Sequence, residues 1–258
     1  MMIIDVHTHT QIHNLVDIEP DIKYAKKFKI NKIVLLGDVL GFGCQPTEEQ
    51  IKKINDQTLD LVNKYPNFFI GFCFLSALHR EKFINEELDR CVQAEFKGVK
   101  LEVSANASDV RLDPIMKRLQ ELKMPLLHHA WNTTVIGRTP TPELNQSDPE
   151  DIAALASRFP KVKIIMAHLR GCGIRGVLEI KSYPNVHVDA AGAQPVSGIL
   201  EYAVEKLGAE RILYGSDACF PAGRDFSAQL ACIFDAKIKE KEKELILGLN
   251  TKRILGIN

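Results

Sequence analysis

Two histidines, His7 and His9, stand two residues apart at the end of a short apolar run. Side chains of a strand alternate between its faces, so both rings, and Asp5 with them, are expected on one face. Two imidazoles crowded onto a buried face are costly to desolvate unless something binds them, and a metal ion is the natural partner. Taken alone, the pair is equally well explained as two incidental histidines.

Three further groups change that balance. His129 ends a later apolar run, His168 ends the next one, and Asp217 lies just past the last. A lone histidine is more often a satisfied core residue. Four histidines and an aspartate at the same ends of separate runs are hard to explain that way. Their nitrogen and oxygen donors suit a divalent metal, with zinc the first expectation and manganese or iron alternatives.

The elements that must position these groups are legible as short apolar runs at 3–6, 32–36, 69–75, 98–101, 126–129, 163–167, 186–189 and 211–214. Their length and Val/Ile content suit buried strands. Eight runs alternate with amphipathic helical stretches, which predicts an α/β protein, a (β/α)8 TIM barrel in a single domain over 1–258. Asp113-Pro114 and Asp148-Pro149 read as helix starts, with Asp151 completing a capping box, and Pro46 opens a third helix. In such a barrel the site gathers at the carboxyl ends of the strands, where the five groups fall. The irregular stretch 132–147 follows the fifth strand and is a candidate substrate-covering loop.

On these pieces the chain resembles the amidohydrolase superfamily, through DVHTH at 5–9. More narrowly it resembles the amidohydrolase-related family that includes aminocarboxymuconate-semialdehyde decarboxylase. The further matching pieces are GVKLE at 98–102, PLLHHA at 125–130, KIIMAHLRG at 163–171, RILYGSDACF at 211–220 and LGLNTKRILG at 247–256. Their order is that of the family and they span nearly the whole chain. The resemblance implies that His7, His9, His129 and Asp217 are metal ligands. It makes His168 either a further ligand or the acid/base beside the metal. His128 and His129 are adjacent, so only one can face the interior, and the family position is His129. Glu102 is a candidate ligand for a second ion, or Lys100 if carboxylated; an interior salt bridge is the plain alternative for Lys100. One ion or two is left open.

Two reactions fit such a centre. A metal ion lowers the pKa of bound water from ~15.7 toward ~7, with Asp217 placed to orient it and His168 to steady the developing oxyanion. This gives the main expectation, a hydrolase cleaving an amide, lactone or similar carbonyl bond of a small molecule. The alternative is a non-oxidative decarboxylase of an unsaturated or aromatic carboxylic acid, with His168 as proton donor. A third reading, a non-catalytic metal-binding barrel, predicts missing ligands, and every position is filled. Arg170 is a candidate contact for a substrate carboxylate and Trp131 a candidate pocket wall. Arg138 and Arg224 are weaker anion contacts.

Composition sets the surroundings. Lys plus Arg and Asp plus Glu number 33 each in 258 residues, so no net field draws the chain to nucleic acid or anionic lipid. Six scattered cysteines show no zinc-ribbon or redox spacing and are read as free thiols. No basic region precedes the first apolar run and no stretch approaches ~20 apolar residues. The expectation is a cytoplasmic protein with a small-molecule substrate. Relatives of this kind are often dimers or larger, so a homo-oligomer is also in view.

Overall fold

The computed structural model describes residues 1–11, 17–131, 145–193, 197–220 and 226–257. The apolar runs fold as strands β1 (Ile4–Thr10), β2 (Lys32–Leu35), β3 (Phe69–Gly71), β4 (Cys73–Phe74) and β5 (Val99–Leu101). They continue as β6 (Leu126–His128), β7 (Ile164–Met166), β8 (Val186–Asp189), β9 (Ile212–Leu213) and β10 (Ala218–Phe220). All pairings are parallel, in the orders β10-β1-β2-β3 and β4-β5-β6-β7-β8-β9. β3 and β4 are one stave interrupted at Phe72, whose N–H donates to Leu35 O at 3.0 Å. The remaining gap closes where Val6 N–H donates to Tyr214 O at 3.0 Å. Among the described residues this is the closed parallel barrel that the eight runs predict.

The outer layer is formed by α1 (Glu19–Lys27), α2 (Glu48–Lys64), α3 (Glu81–Gln93), α4 (Asp113–Leu122) and α5 (Pro149–Arg158). It continues with α6 (Leu169–Ile180), α7 (Ile199–Leu207), α8 (Ser227–Asp235), α9 (Glu240–Glu244) and α10 (Asn250–Leu255). Helix starts differ in detail from the sequence reading. α2 is capped by Thr47, one residue past Pro46, with Thr47 N–H donating to Gln50 Oε1 at 2.8 Å. α4 is preceded by a 3-10 turn capped by Asp109, so Asp113 is not its cap and instead accepts from Arg158 Nε at 3.2 Å. At α5 the expected box is present, with Asp148 N–H donating to Asp151 Oδ2 at 2.9 Å.

The apolar residues divide into two bodies. The larger lies between strands and helices and includes Ile33, Leu35, Ile51, Leu126 and Ile164. The smaller fills the barrel and includes Val34, Leu36, Phe72, Leu127, Ile165 and Leu213. Ile254 and Leu255 of α10 join the inner body and sit beside Lys97, Pro125 and Lys163, which lead into β5, β6 and β7. Helix α10 therefore caps the amino end of the barrel and leaves the carboxyl end for the polar groups.

β1 carries an irregularity that alternation alone does not foresee. It advances three residues, Asp5 to Thr8, while β2 advances two, Ile33 to Leu35. One extra residue is a β-bulge, and it flips the face of everything beyond it. Asp5 therefore does not share the face of His7, contrary to the simple two-residue period. It pairs in register with the helix-facing Ile33 and accepts from the N–H groups of His7 (3.1 Å) and Ser216 (3.0 Å). Burial raises its carboxyl to about 6, against the pull of those hydrogen bonds.

Candidate metal centre and active site

At the carboxyl end, β1 delivers His7 and His9, and the segment after β9 delivers Asp217. Their donor atoms come together: His7 Nε2 lies 3.1 Å from His9 Nε2, and Asp217 Oδ1 lies 3.6 and 3.7 Å from the two nitrogens. The tautomers follow from the other ring nitrogens. His7 Nδ1 is 2.8 Å from Asp189 Oδ2, and His9 Nδ1 is 3.0 Å from Gly37 O. Carboxylate and carbonyl oxygens only accept, so both Nδ1 atoms carry the proton and both Nε2 atoms are bare in the neutral rings. Two lone pairs 3.1 Å apart repel unless a cation lies against both. Burial, with the charges of His7 and Lys100, lowers the His9 pKa to about 3, which disfavours a proton as that cation near neutrality. Two bare imidazole nitrogens and a carboxylate oxygen, all within 4.8 Å of one another, suit a divalent metal ion.

A second group adjoins the first. His129 Nδ1 is 3.2 Å from both Glu102 Oε1 and His168 Nε2, and His129 Nε2 donates to Trp131 O at 3.0 Å. Burial lowers the pKa of His129, with Glu102 opposing and Lys100 adding to the shift. His168 Nδ1 is 4.0 Å from Asp217 Oδ2, which links the two groups. For Glu102, burial would raise the carboxyl, yet the Lys100 ammonium 2.8 Å away and the imidazoles of His129 and His9 hold it well below the usual carboxylate range.

His129 and Glu102 face this pocket as the sequence reading has them. His128 does not: its ring is fully buried, its Nδ1 lies 2.7 Å from His129 O, and burial lowers its pKa to about 4. His168 and Asp217 both adopt left-handed backbone, φ 70° and 58°. Such conformations cost ~1 kcal/mol or more for a side-chain-bearing residue and persist where the surroundings over-determine them, often at functional sites.

Glu102, His129, His168, Asp217 and Trp131 line one cavity of about 350 Å³ with His9. The Trp131 ring stands 5.7 Å from that of His168, tilted by 59°. Trp131 thus walls the pocket. Arg170 lies elsewhere: its N–H donates to Ala191 O at 3.0 Å, and it lines a separate cavity of about 290 Å³ beside Ile199 and Leu200. Arg138, Arg224 and 132–144 of the expected covering loop lie outside the described residues. The residue that sequence reasoning missed is Asp189. It is fully buried, with Oδ2 on the His7 ring and Oδ1 accepting from the N–H groups of His168 (2.9 Å) and Ala191 (3.0 Å). Its signal was present, since it ends the seventh apolar run as His129 and His168 end theirs.

A family model for amidohydrolases matches residues 4–257, so the chain belongs to the amidohydrolase family. It is an enzyme of the superfamily that the motif order indicates, with a donor set fit for a divalent metal. No curated protein matches it significantly. Among solved structures it is similar to 2,6-dihydroxybenzoate decarboxylase complexed with 2,6-dihydroxybenzoate, at 18% identity and TM-score 0.81, covering 99% of each chain. It is similar to 5-carboxyvanillate decarboxylase from Sphingomonas paucimobilis, at 15% identity and TM-score 0.77, over 100% of this chain and 99% of that one. A third is dihydroxybenzoic acid decarboxylase from Polaromonas sp. JS666 with bound manganese and the inhibitor 2-nitroresorcinol. It shows 17% identity and TM-score 0.75 over 99% of this chain and 97% of that one. At these identities the likeness shows the (β/α)8 barrel fold.

Proposed function

We propose that the chain is a metal-dependent, non-oxidative decarboxylase of a small hydroxylated aromatic or unsaturated carboxylic acid. The observation that carries this reading over hydrolysis is the full-length likeness to decarboxylases of substituted benzoic acids, with TM-scores from 0.75 to 0.81. His7, His9 and Asp217 hold the divalent ion, with His129 the further ligand that the family motif adds. Manganese, present in the Polaromonas neighbour, joins zinc among the ions to test. When bound, the ion supplies positive charge to the substrate carboxylate and its neighbouring oxygen.

This chain's own groups then have separate tasks. Trp131 offers a flat wall for an aromatic ring, in a cavity of about 350 Å³ that suits a single-ring acid. His168 gives a proton to the carbon bearing the carboxylate. The bond from that carbon to the carboxylate breaks, its electron pair returns to the ring, and carbon dioxide leaves. Glu102, held ionised by Lys100, stands 3.2 Å from His129 Nδ1 and adds a negative charge at the edge of the centre.

The test incubates manganese- or zinc-loaded protein in D2O with a panel of hydroxybenzoic acids and, separately, with amides and lactones. Carbon dioxide release with one deuterium at the vacated carbon, lost in His168→Gln, is the expected result. Cleavage of the amides or lactones, with no acid consumed, overturns the proposal in favour of hydrolysis.

A further inference from the structure

Asp189 is a buried carboxylate for which neither the sequence motifs nor the proposed chemistry has a task. Its two oxygens serve different partners. Oδ1 accepts from two backbone donors, His168 N–H at 2.9 Å and Ala191 N–H at 3.0 Å. Oδ2 accepts from a side chain, His7 Nδ1 at 2.8 Å. The carboxylate therefore bridges one imidazole of the metal centre to the backbone of the proposed proton donor. The His7 and His168 rings stand 5.0 Å apart across it.

We propose that Asp189 is a positioning residue that fixes the His7 tautomer and thereby sets the affinity of the centre for divalent cations. The inference rests on the metal-dependent reading above. Neutral imidazole carries one proton, and the nitrogen that carries it cannot ligate. A buried ring with no partner at Nδ1 can place its proton on Nε2 and turn a donor away from the ion. A carboxylate at 2.8 Å cannot donate, so it retains the proton on Nδ1 and leaves Nε2 bare toward His9 and Asp217. The same residue steadies His168, whose φ of 70° is a backbone state that a histidine does not hold without support. Gly215 makes the arrangement possible: a Cβ there would lie 3.0 Å from the Cβ atoms of both Asp189 and His7.

Asp189→Asn separates these tasks. Its amide oxygen can still accept from His168 N–H and Ala191 N–H, while its amide nitrogen must donate to His7 and so reverses the tautomer. The experiment measures manganese and zinc binding to metal-free wild-type and Asp189→Asn protein by chelator competition, alongside thermal unfolding of both metal-free forms. The expected result is metal affinity weaker by ~10–100-fold in the variant, with metal-free unfolding temperatures close together. Equal affinities overturn the inference. Ring-nitrogen NMR of metal-free wild-type protein gives a readout that needs no variant. A His7 protonated at Nδ1 supports the inference, and one protonated at Nε2 overturns it even if Asp189→Asn does not fold. Wild-type protein that binds neither ion sinks the metal-dependent reading instead, and the affinity claim with it, whatever tautomer His7 shows.

Discussion

Lys100 Nζ lies 2.8 Å from Glu102 Oε2 inside the barrel, and both side chains are buried. Two residues apart on one stave, they form the interior ion pair that was the plain alternative for Lys100 in the sequence. Lys100 is thereby engaged as a cation, and Glu102 is partly neutralised before it meets His129. Removing one partner of a buried pair strands the other charge, typically at ~3–5 kcal/mol. Lys100→Met is therefore expected to lower unfolding free energy by an amount of that order. Lys100→Met with Glu102→Gln recovers most of it, as a denaturant double-mutant cycle will show.

Gly215 is expected to tolerate no side chain. A Cβ at this position would meet the Cβ atoms of Asp189 and His7 at 3.0 Å, and neither side chain is free to retreat from its hydrogen bond. Overpacking of this kind costs ~1–3 kcal/mol. Gly215→Ala should lower thermal stability by that order and also weaken metal binding, because it pushes His7 away from His9. An unchanged metal affinity, measured by chelator competition, would contradict the close packing described for these residues.

Divalent metal should stabilise the fold in proportion to its binding. A ligand that binds only the folded form at ~100 times its Kd contributes ~2.7 kcal/mol. Adding manganese or zinc to chelator-treated protein is expected to raise the unfolding temperature, and chelator to reverse the rise. His9→Ala removes one of the two facing nitrogens and should abolish the shift while leaving the metal-free protein folded. A rise that survives His9→Ala would place the ion elsewhere.

The barrel was legible in the sequence because its staves are short, buried on both faces and regularly spaced; the runs at 32–36, 126–129 and 163–167 each contain an observed strand. His7, His9, His129, His168 and Asp217 were legible for a related reason, since each ends or follows a run whose direction the fold dictates. Three features escaped. The β1 bulge depends on pairing with β2, which no local pattern reports, so Asp5 was set on the wrong face. Asp189 ends its run as the histidines end theirs, but its partner His7 is 182 residues away, so no local motif ties the two together. Arg170 stands two residues from His168 in sequence, but α6 begins between them and Arg170 lines a different cavity.

His187 supplies a pH dependence separable from the metal centre. It pairs in register with the inward-facing Ile165 and is nearly buried near the amino end of β8. Burial, reinforced by the charges of Arg211 and Arg253, lowers its pKa to about 4. In the unfolded chain the same ring titrates near ~6.5. Above that pH the ring is neutral in both states and contributes nothing to the dependence. As pH falls from ~6.5 toward 4, the unfolded chain takes up a proton that the folded one refuses, so stability declines with a slope approaching ~1.4 kcal/mol per pH unit. His187→Gln should remove about one proton from that slope in metal-free protein, measured by denaturant unfolding between pH 7 and 4.5. His128, lowered by burial to about 4 as well, keeps part of the decline in the variant. Identical slopes for wild type and His187→Gln would mean that His187 accepts its proton in the folded state as readily as in the unfolded chain.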